Sequence, residues 1–321
     1  MAWVRRVVPW LVAAGLLAYV FSTVPLGRVL SEIRRVGLVS VFVFSVLYFV
    51  YSYAADIFAT WATFRWFCAP LSLRDVTIIR GATYLLAMVN YNLGQGGIIF
   101  MVGRQKGVGM AKATGTVLLT MGVMFVALLI LAGVGSFLGD GSDTRLRIVR
   151  MITALGLGAF LVYLGIVGLR PAFLARQPLL APLFDAGIGG TFRAFLVRFP
   201  HVAGHVMFQW ILLRMFGVDI PFTAGATLLP VIFVIGWIPV TVQGLGTQQV
   251  AAMELLGPYA ASGTLDERHA QVVAFSLTVS AMFMVYSLIT GLVCLRPAAR
   301  LMRPSPSDEG ENAQPPASGS A

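Results

Sequence analysis

The chain has 321 residues, 58% of them hydrophobic and 11% charged, with a net charge of +10. Soluble domains carry roughly 25% charged residues, so this chain lacks the polar side chains to cover a water-facing surface, and an ordinary soluble protein is excluded. Its arginines lie between apolar runs and form no long basic tract. That argues for membrane loops facing anionic headgroups, not for nucleic acid.

Residues 7–24 read as a retained first helix behind Arg5 and Arg6, because no small-residue cleavage site follows. Residues 25–37 read as a short amphipathic connector holding Arg28, Arg34 and Arg35. Residues 38–64 form the second helix, interrupted only by Asp56. Residues 113–138 and 151–169 are two further helices. A Pro/Gly-rich connector over 171–192 is the candidate boundary between two halves. Residues 195–213 form a more polar helix, and 271–295 the last clean one. Residues 304–321, rich in Pro, Ser, Glu and Ala, read as a disordered tail. The membrane domain is then 1–303, with half-repeats of about 1–170 and 171–303.

Two regions break this pattern. The apolar stretch 81–93 is too short to span a hydrocarbon core of about 30 Å. It runs into Gly94-Gln95-Gly96-Gly97. Residues 220–242 are long enough but broken by Pro221, Pro230, Gly236 and Pro239. They run into Gln243-Gly244-Leu245-Gly246 and a short apolar stretch, 247–256. Irregular backbone at membrane depth is tolerated only where protein or a water-filled cavity surrounds it. The expected fold is therefore an all-α, polytopic transmembrane bundle with two re-entrant broken segments. Their turns are expected at Gly94, Gly96 and Gly97, and at Pro239, Gly244 and Gly246.

The segments recur. Trp61-x-x-x-Arg65-x-Phe67 returns 149 positions later as Trp210-x-x-x-Arg214-x-Phe216, and Gln95-Gly96 returns as Gln243-Gly244. Paired broken segments mark a two-fold transporter core. If both segments dip in and return, Arg104, Lys106 and Lys112 fall on the cytoplasmic side, and Asp140 and Asp143 outside. Asp219, Glu254, Asp266 and Glu267 also fall outside, and Arg296, Arg300 and Arg303 inside. This satisfies the positive-inside rule except at Arg28, Arg34 and Arg35, and where Arg145 and Arg147 begin. Both termini are then cytoplasmic in a multi-pass cell-membrane protein, and the repeat is inverted.

Ser45, Ser52, Asp56, Thr60 and Thr63 fall within an arc of about 80° at 100° per residue. That stripe faces the bundle interior. An intramembrane carboxylate is a functional candidate by default. Proton coupling, contact with a cationic headgroup and simple packing stay open for Asp56. Arg198, His201, His205 and Gln209 share a similar arc, fitting a cavity lining, interfacial histidines or half of a metal site. No third ligand accompanies the histidines, so no metal is expected. Ser276, Ser280, Ser287 and Thr290 form a third stripe, read as interhelical packing. Arg65 and Arg214 at helix ends suit a lipid phosphate or snorkelling to the interface. Cys68 and Cys294 are expected to be unpaired thiols. No phosphate-binding loop and no Ser/His or Cys/His arrangement is present, so neither a cofactor nor a catalytic residue is expected.

Three stretches resemble a known family. Ala62-Thr63-Phe64-Arg65-Trp66, residues 90–108 (NYNLGQGGIIFMVGRQKGV) and residues 239–249 (PVTVQGLGTQQ) are similar to the transmembrane region of lysylphosphatidylglycerol synthases, found also as stand-alone flippase-like proteins. The family's second loop usually reads Pro-x-x-Pro-Gly-Gly-x-Gly and then Glu. Here Val242, Gln243 and Gln249 replace its second Pro, a Gly and the Glu. The first loop has Ile98 or Ile99 near the usual acid. The aminoacyl-transfer domain of bifunctional members is not expected, so aminoacyl-lipid synthesis is not implied.

The resemblance implies movement of a phospholipid or lipid-linked molecule between leaflets. Its partners would be membrane lipids, with a homo-oligomer left open. The expected binding residues are Asp56, Arg65, Asn90, Asn92, Gln95, His201, His205, Gln209, Arg214, Gln243, Gln248 and Gln249. A polytopic enzyme acting on a headgroup, and a non-catalytic assembly partner, are the competing readings.

Overall fold

The computed structural model of the protein describes residues 2–105, 108–139, 142–238, 240–261 and 263–302; for 2–10, 12, 13 and 243 it describes the backbone alone. Expectations for Lys106, Asp140, Pro239, Arg303 and the tail lie outside the described residues. Among those residues the chain is all-helical, with one isolated bridge between Val218 and Ala260 and no strand.

Helix α1 (Ala2–Thr23) meets α2 (Leu26–Val36) at a bend of 81°. Pro25 sits at the bend, where its missing N–H cannot continue α1. The expected connector is thus itself a helix, which lies against the last helix of the chain. Helix α3 (Leu38–Phe67) follows, then the shorter α4 (Leu73–Ala87) and α5 (Tyr91–Gly103). Helices α6 (Met110–Leu138) and α7 (Thr144–Leu169) come next. A single turn, α8 (Ala172–Ala175), leads to α9 (Ala181–Met215), followed by α10 (Phe222–Trp237), α11 (Thr247–Leu256) and α12 (Leu265–Leu301).

Helices α3, α6, α7 and α12 are each long and apolar enough to cross a membrane, and the bent pair α1–α2 makes a fifth candidate. Helix α7 is peripheral: Leu155, Leu161, Val162 and Leu169 are exposed, as suits a lipid-facing surface. Helix α9 is 35 residues long, but Arg193, Arg198, His201, His205 and Gln209 lower its hydropathy. It bends at Gly187, where φ is 60°. The expected connector 171–192 is therefore largely helical.

The first broken region is a pair of helices packed on one another, not a glycine turn. Its break falls over 88–90, where the Asn90 side chain caps α5 by accepting from the Asn92 N–H at 2.8 Å. Gly94, Gly96 and Gly97 lie inside α5, which corrects the expected turn. Two of them serve close approach instead: a Cβ on Gly94 would lie 2.8 Å from the Cβ of Ala87, and one on Gly97 2.7 Å from Leu86. The second region turns at Gly244 (φ 71°) and Gly246 (φ 85°) between α10 and α11, as expected, but α10 runs through Pro230 and Gly236, which do not break it.

The loops sort to two ends of the bundle. At one end, the Tyr259 hydroxyl donates to Asp143 at 3.2 Å, Asp219 N–H donates to the Tyr259 carbonyl at 2.9 Å, and Arg28 pairs with Asp266 at 3.3 Å. At the other end, Gly190 of α9 lies against Phe67 of α3. There Gly115 of α6 also lies against Leu179 and Pro182. Between these ends α3 and α9 run antiparallel: Tyr48 meets His205, Ser52 meets His201 and Asp56 meets Arg198.

Candidate ligand site

A stripe of small polar residues on α3 has to find partners inside the bundle, because burying an unpaired polar group is costly. Ser45, Asp56, Thr60 and Thr63 are all buried, as the helical spacing predicts. Asp56 is enclosed by three donors. Arg198 of α9 gives Nη1 to Oδ1 at 2.6 Å and Nη2 to Thr60 at 3.0 Å. Arg80 of α4 gives Nε to Oδ2 at 2.7 Å, and its Nη2 bonds the same oxygen. The Tyr84 hydroxyl adds a third bond to Oδ2 at 3.0 Å. The Arg80 guanidinium also lies over the Tyr84 ring, 5.2 Å from its centroid. Charge-assisted bonds of this kind are roughly twice as strong as neutral ones. They tie α3, α4 and α9 together.

This cluster borders a cavity of about 230 Å³. Asp56 and Arg80 stand in its wall, while Arg198 holds Asp56 from behind. Gly94 and Gln95 of α5 contribute from the first broken segment, and Gly236, Trp237 and Gln248 from the second. Tyr91 of α5 stacks on Trp237 of α10, with centroids 5.1 Å apart, so the two segments touch across the cavity. A Cβ on Gly236 would lie 1.6 Å from Nε2 of Gln248, so this glycine makes the room Gln248 occupies. On α9, His205 bonds Tyr48 through Nδ1 and Gln209 through Nε2 at 3.1 Å. His201 Nε2 lies 3.4 Å from the Ser52 hydroxyl. Helix α12 adds Ser276, Ser280 and Ser287, so its polar stripe lines the cavity as well as packing. Tyr286 closes that side, bonding Ser45 at 2.7 Å and stacking on Phe49 at 4.5 Å.

Of the expected binding residues, Asp56, Gln95, His201, His205, Gln209 and Gln248 line the cavity. The others do not. Arg65 and Arg214 lie over Trp61 and Trp210 at 5.5 and 5.4 Å, and Arg214 pairs with Asp219 at 3.1 Å. Asn90 is spent on the α5 cap, where Asn92 gives only its backbone N–H and its side chain is exposed. Gln249 is fully buried and structural: Oε1 accepts from Gly246 N–H at 2.6 Å, and Nε2 donates to Ser280 at 3.3 Å. The Gln243 side chain lies outside the described residues. Arg80, Tyr48, Tyr84, Tyr91, Trp237 and Tyr286 were not expected. Arg80 had a signal, as a lone cation next to an apolar stretch too short to span.

Cys68 and Cys294 are free and buried. Among the described residues no group of three His, Cys, Asp or Glu could hold a metal. The chain matches no family model and no curated protein.

Proposed function

We propose that the protein is a lipid flippase-like transporter, and that the cavity between the two broken segments receives the headgroup of a phospholipid or lipid-linked molecule. The observation that carries this reading is the cavity's position. It lies among apolar helices of membrane-crossing length, yet Gln95 of one broken segment and Gln248 of the other both face it. Broken segments meeting at a cavity, here a largely apolar one set with a few polar side chains, are the arrangement by which secondary transporters hold a substrate near the midplane. The volume is below the roughly 300–1,000 Å³ of a drug-sized pocket. It suits a headgroup whose acyl chains stay in lipid.

An inverted repeat supports the same reading. Trp61 Nε1 donates to the Leu71 carbonyl at 3.1 Å, and Trp210 Nε1 to the Ile220 carbonyl at 3.0 Å, each ten residues on. The helices carrying them, α3 and α9, are antiparallel. The clustering of loops at two ends favours α4–α5 and α10–α11 each returning to the side it left. Arg28, Arg34 and Arg35 then lie outside, against the positive-inside rule, with Asp266 offsetting Arg28 and Glu32 offsetting Arg35. Such a multi-pass protein would sit in the cell membrane with both termini cytoplasmic.

A headgroup-modifying enzyme would be favoured by a hydrogen bond between Asp56 and His201 or His205. Asp56 is instead bonded to Arg80, Arg198 and Tyr84. An assembly partner would be favoured by a solid bundle, and this one has a cavity. The deciding experiment is a reconstituted-liposome flip assay with a panel of fluorescent lipids. We expect wild type to move at least one lipid between leaflets and Gln248→Ala to slow it. Protein-free rates for every lipid would end the proposal.

A further inference from the structure

The proposed repeat matches α3 with α9, α4–α5 with α10–α11 and α6 with α12. Helix α4 packs along α12, and α10 packs along α6, as a two-fold relation requires. The remaining pair breaks the match. Helix α6 packs along α9, but the backbones of α12 and α3 stay apart. Ser45 and Ala194, 149 positions apart, carry the difference. Ala194 of α9 shares a buried cluster with Leu119 and Val123 of α6. Ser45 of α3 is met by a long reach from α12: the Tyr286 hydroxyl bonds it at 2.7 Å, and the Tyr286 ring stacks on Phe49 at 4.5 Å. Behind this bridge, Ser52 and Tyr53 of α3 face the cavity from one side, and Val279 and Phe283 of α12 from the other. Because α3 and α9 run antiparallel and cross where Tyr51 meets Pro200, the two seams lie on opposite sides of that crossing.

We propose that this asymmetry is one of two interchangeable states, with Tyr286 as the residue that holds the present one. Here the α3–α12 seam is the cavity's side opening toward the outer half of the membrane, and Tyr286 is the strut that props it. In the other state α3 and α12 close on each other, Tyr286 leaves Ser45, and α6 parts from α9 toward the inner half. This rests on the transport reading and its inverted repeat. Two halves of one topology can each take either packing, so exchanging the packings amounts to rocking one repeat against the other. Packed seams of this kind are bistable, not continuously deformable. One seam is closed by apolar burial and the other is held by one ring stack and one hydrogen bond, so a single side chain can set the balance.

The test is the distance between paired spin labels on the full-length protein in nanodiscs, with Cys68→Ala and Cys294→Ala removing the native thiols. Leu47→Cys with Leu288→Cys spans the α3–α12 seam, and Leu118→Cys with Leu196→Cys spans α6–α9; all four side chains are exposed. Two distances should appear across each seam, with the long fraction at one matching the short fraction at the other. Tyr286→Phe keeps the ring and removes the bond to Ser45. It should lower the long-to-short ratio across α3–α12 by about two- to tenfold, the shift that one lost hydrogen bond supports, and raise the ratio across α6–α9 by the same factor. Tyr19→Phe, on an exposed face of α1, should change neither. One fixed distance at both seams overturns the inference, and so does an unchanged ratio in Tyr286→Phe. Long distances at both seams together overturn it as well, because they describe a continuous pore. If Tyr286→Phe does not fold, the wild-type distances decide. Exchange of the seams with no lipid moved in the flip assay sinks the transport reading alone. Lipid movement past fixed seams sinks the exchange alone.

Discussion

The Tyr51 hydroxyl donates to the Pro200 carbonyl at 2.7 Å, across 149 positions of sequence. The same offset separates Trp61 from Trp210, and Ser52 from its neighbour His201. Residues that share this offset therefore touch where α3 crosses α9. A two-fold axis perpendicular to both helices would produce that contact. The two Trp–carbonyl bonds do the same local work, each closing a helix end onto the connector that follows.

Trp61→Phe and Trp210→Phe each delete that N–H donor while keeping an aromatic ring. Each should cost about 0.5–1.5 kcal/mol, and the two losses should agree within measurement error. Thermal unfolding in detergent reads both. A loss at one tryptophan only would show that the two halves are held differently.

The Asp56 cluster predicts an order of stability. Removing one partner of a buried ion pair costs about 3–5 kcal/mol, because the other charge is left uncompensated. Asp56→Asn leaves two guanidiniums facing each other. Arg80→Gln leaves a neutral pair, Asp56 with Arg198. Asp56→Asn should therefore unfold at the lowest temperature of the three, well below both wild type and Arg80→Gln. Asp56→Asn as stable as wild type would mean that the carboxylate does not hold the three helices together.

Part of this site was readable before any coordinates. The arc from Ser45 to Thr63 and the arc from Arg198 to Gln209 each follow from helical spacing, and they turn out to face each other. Arg80 could not be assigned to Asp56, because pairing across a helix–loop–helix depends on how α4 docks, which periodicity does not encode. The first break was misplaced for a related reason. Gly94 and Gly97 look like turn residues, but here they let α5 close on Ala87 and Leu86. A glycine's sequence signal is the same whether it frees the backbone or makes room. Asn90, four residues earlier, is the actual cap.

Gly236→Ala separates function from stability. The three atoms its Cβ would meet first are the amide Nε2 and Cδ of Gln248 and its Cγ methylene, all side chain, so Gln248 must move from its place in the cavity wall. Transport should fall in the flip assay while the unfolding temperature changes little. Gly122→Ala on α6 is the control, since nothing lies within 4 Å of its added Cβ. Alanine favours helix by about 1 kcal/mol over glycine, so that variant should be active and no less stable. Unimpaired transport in Gly236→Ala would remove Gln248 from the proposed path.

Sidedness tests whether the two segments do the same thing in the membrane. If α4–α5 and α10–α11 each come back to the side they left, the loop before α4 and the loop before α12 lie on opposite faces of the membrane. Arg74 and Asp266 are exposed at those two places. Cys68→Ala and Cys294→Ala remove the native thiols, both of which are buried. In that background, Arg74→Cys should react with an impermeant maleimide only from the cytoplasmic face, and Asp266→Cys only from the other. The charge pattern gives the orientation, since Arg65, Arg74, Arg296 and Arg300 share the cytoplasmic side in this arrangement. Were one segment to cross outright and the other return, Asp266 would move to the face of Arg74. Labelling of both cysteines from one face would therefore show that one segment crosses and the other returns, which breaks the matched pair of returning segments.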